Sequence, residues 1–316
     1  MRRRRSTFLS AVAVVVALFL IGASSAGVKA RLGDEAKQVT LMAVGPGGPA
    51  APPPAAQPQP QPQPRPRPQP TVKLEALARK AMTEAQRRGA DISFTVLDRQ
   101  NGGVVSGGDP AAFPIASVAK LFIADDLLMQ ITQNKAKLSS QDRKGLEAML
   151  RSSDDFPADD FWARGGGNAI IARVVARYNL STTTAPYNGD WWNTMSTTAD
   201  LVRYYDMLLD GTGGLPPGQA DIIVSNLAAS TPLGADGYPQ RFGIPDGLFA
   251  EPVAVKQGWM CCWIPDNQVH LSTGVVGPDR RYVIAVASMQ PVDEATARNT
   301  LTQALKTMFP GGRIQS

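Results

Sequence analysis

The chain has 316 residues, 43% hydrophobic and 19% charged, with a formal charge of +5. That length and apolar content leave room for one large domain or two small ones with ample core. The positive charge is no sign of a nucleic-acid partner, because much of it sits on arginines 2–5, Arg65 and Arg67, outside the part that reads as folded.

Arginines 2–5 precede an almost wholly apolar or small stretch over residues 7–26, with no acid before Asp34. This is the pattern of an export signal. The run is long enough to span a bilayer, while Ser24-Ser25-Ala26 offers small residues for a signal peptidase. No cysteine follows it, which argues against a lipid-anchored lipoprotein. Residues 1–30 are therefore expected to be a signal peptide or, preferentially, a retained anchor contacting the membrane, with the bulk of the chain extracytoplasmic.

Residues 31–70 read as a disordered linker, Gly-rich and then Pro/Gln-rich, with Gln-Pro and Arg-Pro alternation up to Pro70. Proline at every second position favours polyproline II and cannot build a core. At ~3.1 Å per residue its Gly45–Pro70 stretch reaches roughly 75 Å.

Residues 71–316 read as one domain. Helical periodicity over residues 72–88 ends at Gly89, and residues 92–97 alternate as a strand. Asn101-Gly102 marks a tight turn, and residues 103–106 complete a hairpin. A helical stretch then runs from Ser117 to about Leu227, with helix starts at Ser139-Ser-Gln-Asp142 and Thr197-Thr-Ala-Asp200. Strands are expected over residues 252–256, 269–276 and 281–288, the last two joined by the turn Gly277-Pro-Asp-Arg280. Residues 294–309 close as a helix. Cys261 and Cys262 are the only cysteines. Adjacent Cα atoms normally lie 3.8 Å apart, short for a disulfide, so two separate thiols are expected, with a vicinal bridge the alternative in an oxidising compartment. His270, the only histidine, has too few ligand partners for zinc.

Hairpin connections make the five strands antiparallel. The expected class is α+β: a five-stranded antiparallel sheet covered by terminal helices, with an inserted all-helical block on its other side.

Three motifs carry the chemistry. In Ser117-Val-Ala-Lys120, a serine opening a helix places a lysine one turn later on the same face. The positive end of the helix dipole disfavours the ammonium form, so Lys120 could act as base towards the Ser117 hydroxyl. Ser153-Asp154-Asp155 follows a helix over residues 140–151, and Lys256-Gln-Gly258 follows an apolar strand. Read singly, they are a helix cap with a solvated lysine, a polar turn and a strand-end lysine.

Together, in this order, they resemble the active-site set of the penicillin-recognising serine enzymes, namely class A β-lactamases, penicillin-binding proteins and related serine hydrolases. The resemblance covers nearly all of residues 71–316 and implies a β-lactamase-like fold. It makes Ser117 the nucleophile, Lys120 the base and Ser153 the proton relay to the leaving nitrogen. Asp155, Lys256, Gly258 and Trp259 become substrate-binding positions: Lys256 holds a carboxylate, Gly258 lets the acyl group approach, and the Trp259 and Ser117 N–H groups form an oxyanion hole.

The chain departs from the family at Asp155, where Asn is usual, and at Gln257, where Thr or Ser is usual. An ionised Asp155 can only accept hydrogen bonds and could hold Lys120 charged. The acid that releases the acyl group in class A enzymes is missing too, since no Glu lies between Glu147 and Glu251, and Asp190 is a short substitute. Trp191 and Trp192 line a groove or simply pack. The expected function is an exported serine hydrolase acting on β-lactams or D-alanyl peptidoglycan peptides with slow deacylation, and no cofactor or metal is implied. The alternatives are a non-catalytic domain binding peptidoglycan or a partner protein, and an esterase or amidase of the same fold.

Overall fold

A computed structural model describes residues 69–135 and 137–315. The segment read as signal or anchor and nearly all of the linker lie outside them. Among the described residues no helix is long and apolar enough to cross a membrane.

Helix α1 (Gln69–Gln86) leads into β1 (Asp91–Asp98) and β2 (Gly103–Gly107), the hairpin turned by Asn101 and Gly102. A two-residue strand β3 (Phe113–Pro114) enters the helical block, α2 (Lys120–Gln133), α3 (Ser140–Arg151), α4 (Asp155–Gly165) and α5 (Asn168–Tyr178). Another two-residue strand, β4 (Met195–Ser196), precedes α6 (Thr198–Asp210) and α7 (Pro217–Ala228). The chain closes with the short α8 (Ile244–Gly247), strands β5 (Val253–Cys261), β6 (Gln268–Val276) and β7 (Tyr282–Gln290), and α9 (Glu294–Met308). Five strands form one antiparallel sheet in the order β2-β1-β7-β6-β5. The expected class and layout therefore hold. The first helix starts three residues before its expected beginning at residue 72, inside the segment read as linker, and β5 runs five residues beyond its expected end.

The core is divided by the sheet. Central β7 sends Val283, Ala285 and Ala287 to the helical block and Ile284 and Val286 to the side of α1 and α9, as a period of two requires. An all-apolar run is what a strand buried on both faces needs, which is why residues 282–287 read as strand in the sequence. Within the block, α2 is buried almost all round. Its Asp125 is wholly buried and takes Arg177 and the Tyr178 hydroxyl as partners, while Asp126 pairs with Arg173 at 2.7 Å, fastening α2 to α5.

Two caps expected from the sequence are formed. The Ser139 hydroxyl accepts the Asp142 N–H at 3.0 Å, and Thr197 accepts the Asp200 N–H at 3.2 Å. β3 and β4, too short to show any periodicity, pair Phe113 with Ser196 and Pro114 with Met195. With the Ile115 N–H on the Thr194 carbonyl (2.9 Å), they anchor the chain where it enters the turn carrying Ser117. That turn touches β5 at Gly258, where a Cβ would stand 2.7 Å from the Ile115 carbonyl and 3.2 Å from Val118. The missing side chain of Gly258, expected to let an acyl group approach, also lets the backbone of the nucleophile turn sit against β5.

Two outcomes follow. Ser139→Ala should lower the urea-unfolding free energy by about 1 kcal/mol, and Ser139→Asp should not. Gly258→Ala should cost about 1–3 kcal/mol by overpacking, read as a fall in thermal midpoint, because backbone rather than a flexible side-chain tip must move.

Candidate functional site

The chain reaches Ser117 through a left-handed Ala116 (φ 46°), then makes a short 3₁₀ turn over Ala116–Ala119 before α2 begins at Lys120. Ser117 is 8% exposed and Lys120 not at all. The three-residue spacing places both side chains on one face, and Lys120 Nζ donates to Ser117 Oγ at 3.0 Å. The same Nζ reaches Ser153 O (2.6 Å), Ser153 Oγ (3.2 Å) and Asp155 Oδ1 (2.5 Å). An ammonium has three protons for these four acceptors, whereas a neutral amine can also accept from a hydroxyl. The Trp191 ring lies 4.7 Å from Nζ.

The second motif is the joint between two helices. Ser152 caps the end of α3, and Ser153 takes a left-handed conformation (φ 55°), costly for a non-glycine residue at about 1 kcal/mol or more. Asp154 caps α4, accepting the Phe156 N–H at 3.0 Å, and Asp155 is the first helical residue. This kink turns the Ser153 carbonyl and hydroxyl, and then Asp155, onto one amine. Burial pushes the Lys120 ammonium below the usual lysine range, while the Asp155 carboxylate pulls it back up.

β5 supplies the other wall. Lys256, 1% exposed, donates to Ser153 Oγ at 2.8 Å and to the Gln257 carbonyl at 3.1 Å. Burial, then repulsion from Lys120, holds its pKa well below the usual range. It sits behind Ser153 rather than at the cleft surface. Gln257 points to the strand's other side, where Nε2 binds the Phe242 carbonyl. The Lys256 carbonyl accepts the Thr273 hydroxyl from β6, whereas the Gln257 carbonyl accepts Lys256 Nζ on the open edge. Alternation along an antiparallel strand then directs the Trp259 N–H, like the main chain of Gln257, away from β6 and towards the cleft.

The resulting cleft holds about 270 Å³ and is lined by Ser117, Ser153, Asp155 and Trp259 among others. Lys120 and Lys256 lie behind this lining, and Gly258 underlies it. Both readings of the tryptophans hold: Trp191 is buried with Nε1 on Asp159 (2.8 Å), yet it and the half-exposed Trp192 face the cleft. Asp190 does not line it; its carboxylate takes Asn188 Nδ2 at 2.6 Å.

Sequence reasoning missed Asp236. It lies on a loop held by the Ala235 N–H on the Ser152 carbonyl (2.7 Å), and its only signal was the turn Gly234-Ala-Asp-Gly237. Cys261 and Cys262, expected as separate thiols, are joined by a disulfide at the exposed end of β5. His270 is buried with Nε2 against the Tyr238 hydroxyl at 2.6 Å, and burial lowers its pKa to about 3.

No protein-family model matches the chain. Among solved structures, a β-lactamase from Chitinophaga pinensis aligns with a TM-score of 0.62 at 14% identity, covering 73% of this chain and 97% of that one. The structure of PBP-A aligns at 0.61 and 17% identity over 73% and 94%. An ancestral class A β-lactamase aligns at 0.60 and 19% over 73% and 98%. At these identities the likeness is one of fold. Among curated proteins, "Putative lipoprotein LppW" of Mycobacterium tuberculosis and of Mycobacterium bovis is 57% identical over 242 residues, 77% of each chain. The protein thus belongs to the family of mycobacterial LppW, built on the β-lactamase-like fold.

Proposed function

We propose that the protein is a serine hydrolase of the cell envelope that forms an acyl-enzyme through Ser117, acting on β-lactams or D-alanyl peptidoglycan peptides. The observation that carries this reading is the Lys120 amine, buried and 3.0 Å from the Ser117 hydroxyl. In its uncharged form Lys120 takes the Ser117 proton as Oγ attacks the carbonyl. The N–H groups of Ser117 and Trp259 hold the developing oxyanion. Ser153, bridged to both lysines, passes its proton to the leaving nitrogen and is reprotonated from Lys120. Lys256 acts through Ser153, since its ammonium is enclosed. Gly258 serves by letting the nucleophile turn sit against β5. The β-lactamases and PBP-A among the structural neighbours support the substrate class. The lipoprotein name of the LppW relatives supports an envelope location. With the cysteines at 261 and 262, the proposed membrane attachment is through the apolar residues 7–26.

Deacylation is the weak step. The acids at the cleft are Asp154, Asp155 and Asp236, of which Asp155 is engaged by Lys120, and Asp190 is tied to Asn188. One observation favours a second reading, a non-catalytic binding domain: the Asp155 carboxylate opposes loss of the Lys120 proton.

Intact mass after incubation with benzylpenicillin decides between them. A persistent single adduct is expected on the wild type and none on Ser117→Ala, with steady-state turnover below about 1 per second against a typical enzyme median of ~10 per second. An unmodified wild type would make the domain a binder, leaving p-nitrophenyl esters to test the esterase alternative. The acylation rate should rise with pH through the Lys120 titration, because only the uncharged amine accepts a proton. Asp155→Asn removes the charge that favours the ammonium, so the acid limb should move to lower pH and acylation at pH 7 should quicken. A stopped-flow pH profile showing the opposite shift would rule out the Lys120 base.

A further inference from the structure

A ligand entering this cleft meets no lysine or arginine among the described lining residues. The cation that the family pattern assigns to a substrate carboxylate, Lys256, is 1% exposed and already donates to Ser153 and Gln257. Besides Asp155, two carboxylates face the space. Asp154 and Asp236 each use one oxygen as acceptor of a nearby N–H, from Phe156 (3.0 Å) and Tyr238 (2.9 Å). Among the described residues neither forms an ion pair, unlike Asp155 with Lys120. The loop bearing Asp236 is pinned beside the Ser153 kink by the Ala235–Ser152 bond, so both negative groups border the cleft that holds Ser117. The indoles of Trp191, Trp192 and Trp259 complete the walls. Indole faces attract cations, as Trp191 already does for Lys120 at 4.7 Å.

We infer that, among substrates able to form the acyl-enzyme, the cleft favours those carrying a protonated or quaternary amine on the acyl side a few bonds from the reactive carbonyl, and disfavours a carboxylate at that acyl-side position. The inference rests on the acyl-enzyme reading for its chemistry but not for its binding preference. In the reaction, a Ser117 Oγ–acyl bond forms, the ester C–O bond breaks, the Ser117 proton passes to Lys120 and p-nitrophenolate leaves.

The test uses three p-nitrophenyl esters of equal length: γ-trimethylammonio-butyrate, its carbon isostere with a tert-butyl end, and the glutarate half-ester. Acylation kcat/KM should fall in that order, with about tenfold or more between cation and anion. The ratio should shrink towards unity in Asp236→Asn combined with Asp154→Asn, which keep the accepted N–H bonds, and should shrink at high salt. Equal or reversed rates in the wild type overturn the inference. Binding of the N-methylamides of the same acids, followed by tryptophan fluorescence on wild type and Ser117→Ala, separates the two readings. Cation-selective binding without any Ser117-dependent acylation would remove the hydrolase reading and sustain this one, whereas binding indifferent to charge would remove this one alone.

Discussion

One buried amine organises the site. An uncompensated lysine in a protein interior is costly, so Lys120 can be wholly enclosed only if acceptors are delivered to it. They come from separate pieces of chain: the turn before α2 gives Ser117, the end of α3 gives Ser153, and the start of α4 gives Asp155. The strained Ser153 conformation and the tight Gly258 contact are the local costs of this convergence. Because the acceptors are also the chemistry, the geometry that keeps the lysine satisfied is the geometry that would activate the serine.

The charge balance around that amine explains why this chain should differ from a fast β-lactamase. Asn at position 155 would offer Lys120 a neutral partner, whereas Asp offers a full charge at 2.5 Å. Burial and Lys256 work the other way, the second lysine disfavouring a second ammonium so close. The two lysines share Ser153 Oγ, so a proton added to one makes protonation of the other harder. A group that must release and regain a proton within one cycle is served by such opposition.

The sheet, the helical block and the caps were legible because they rest on local signals: alternation in β1, an apolar run in β7, and hydroxyl-to-acid spacing at Ser139 and Thr197. The Ser117–Lys120 pairing was legible from one-turn helix spacing, whereas the approach of Ser153 and Lys256 was legible only through family resemblance, since nothing local says that residues 36 or 139 positions from the nucleophile meet it. What escaped was set by packing. Gln257 turns to the Phe242 carbonyl because neighbours on a strand face opposite ways, so Lys256 and Gln257 cannot both face Ser153. Asp236 lies in a turn whose sequence says turn and nothing more, and only the Ala235–Ser152 bond brings it to the cleft. The extension of β5 through Trp259, Met260 and Cys261 shows no buried–exposed alternation, the first two being partly buried and the last exposed, which left it without a strand signal.

The position of the cleft gives the fold latitude to change substrate without changing its core. Ser117, Ser153 and both lysines sit where the helical block meets the edge strand, fixed by main-chain bonds and by Gly258. The cleft faces of Asp154 and Asp236, by contrast, come from a helix cap and a loop outside both hydrophobic clusters. Asp236 can be replaced with little effect on stability, and Asp154→Asn keeps the α4 cap, so the charge presented to a ligand can change at little cost to the fold. The scaffold can thus carry an acidic mouth without moving the buried lysine pair, because the carboxylates at the cleft lie in residues the core does not need.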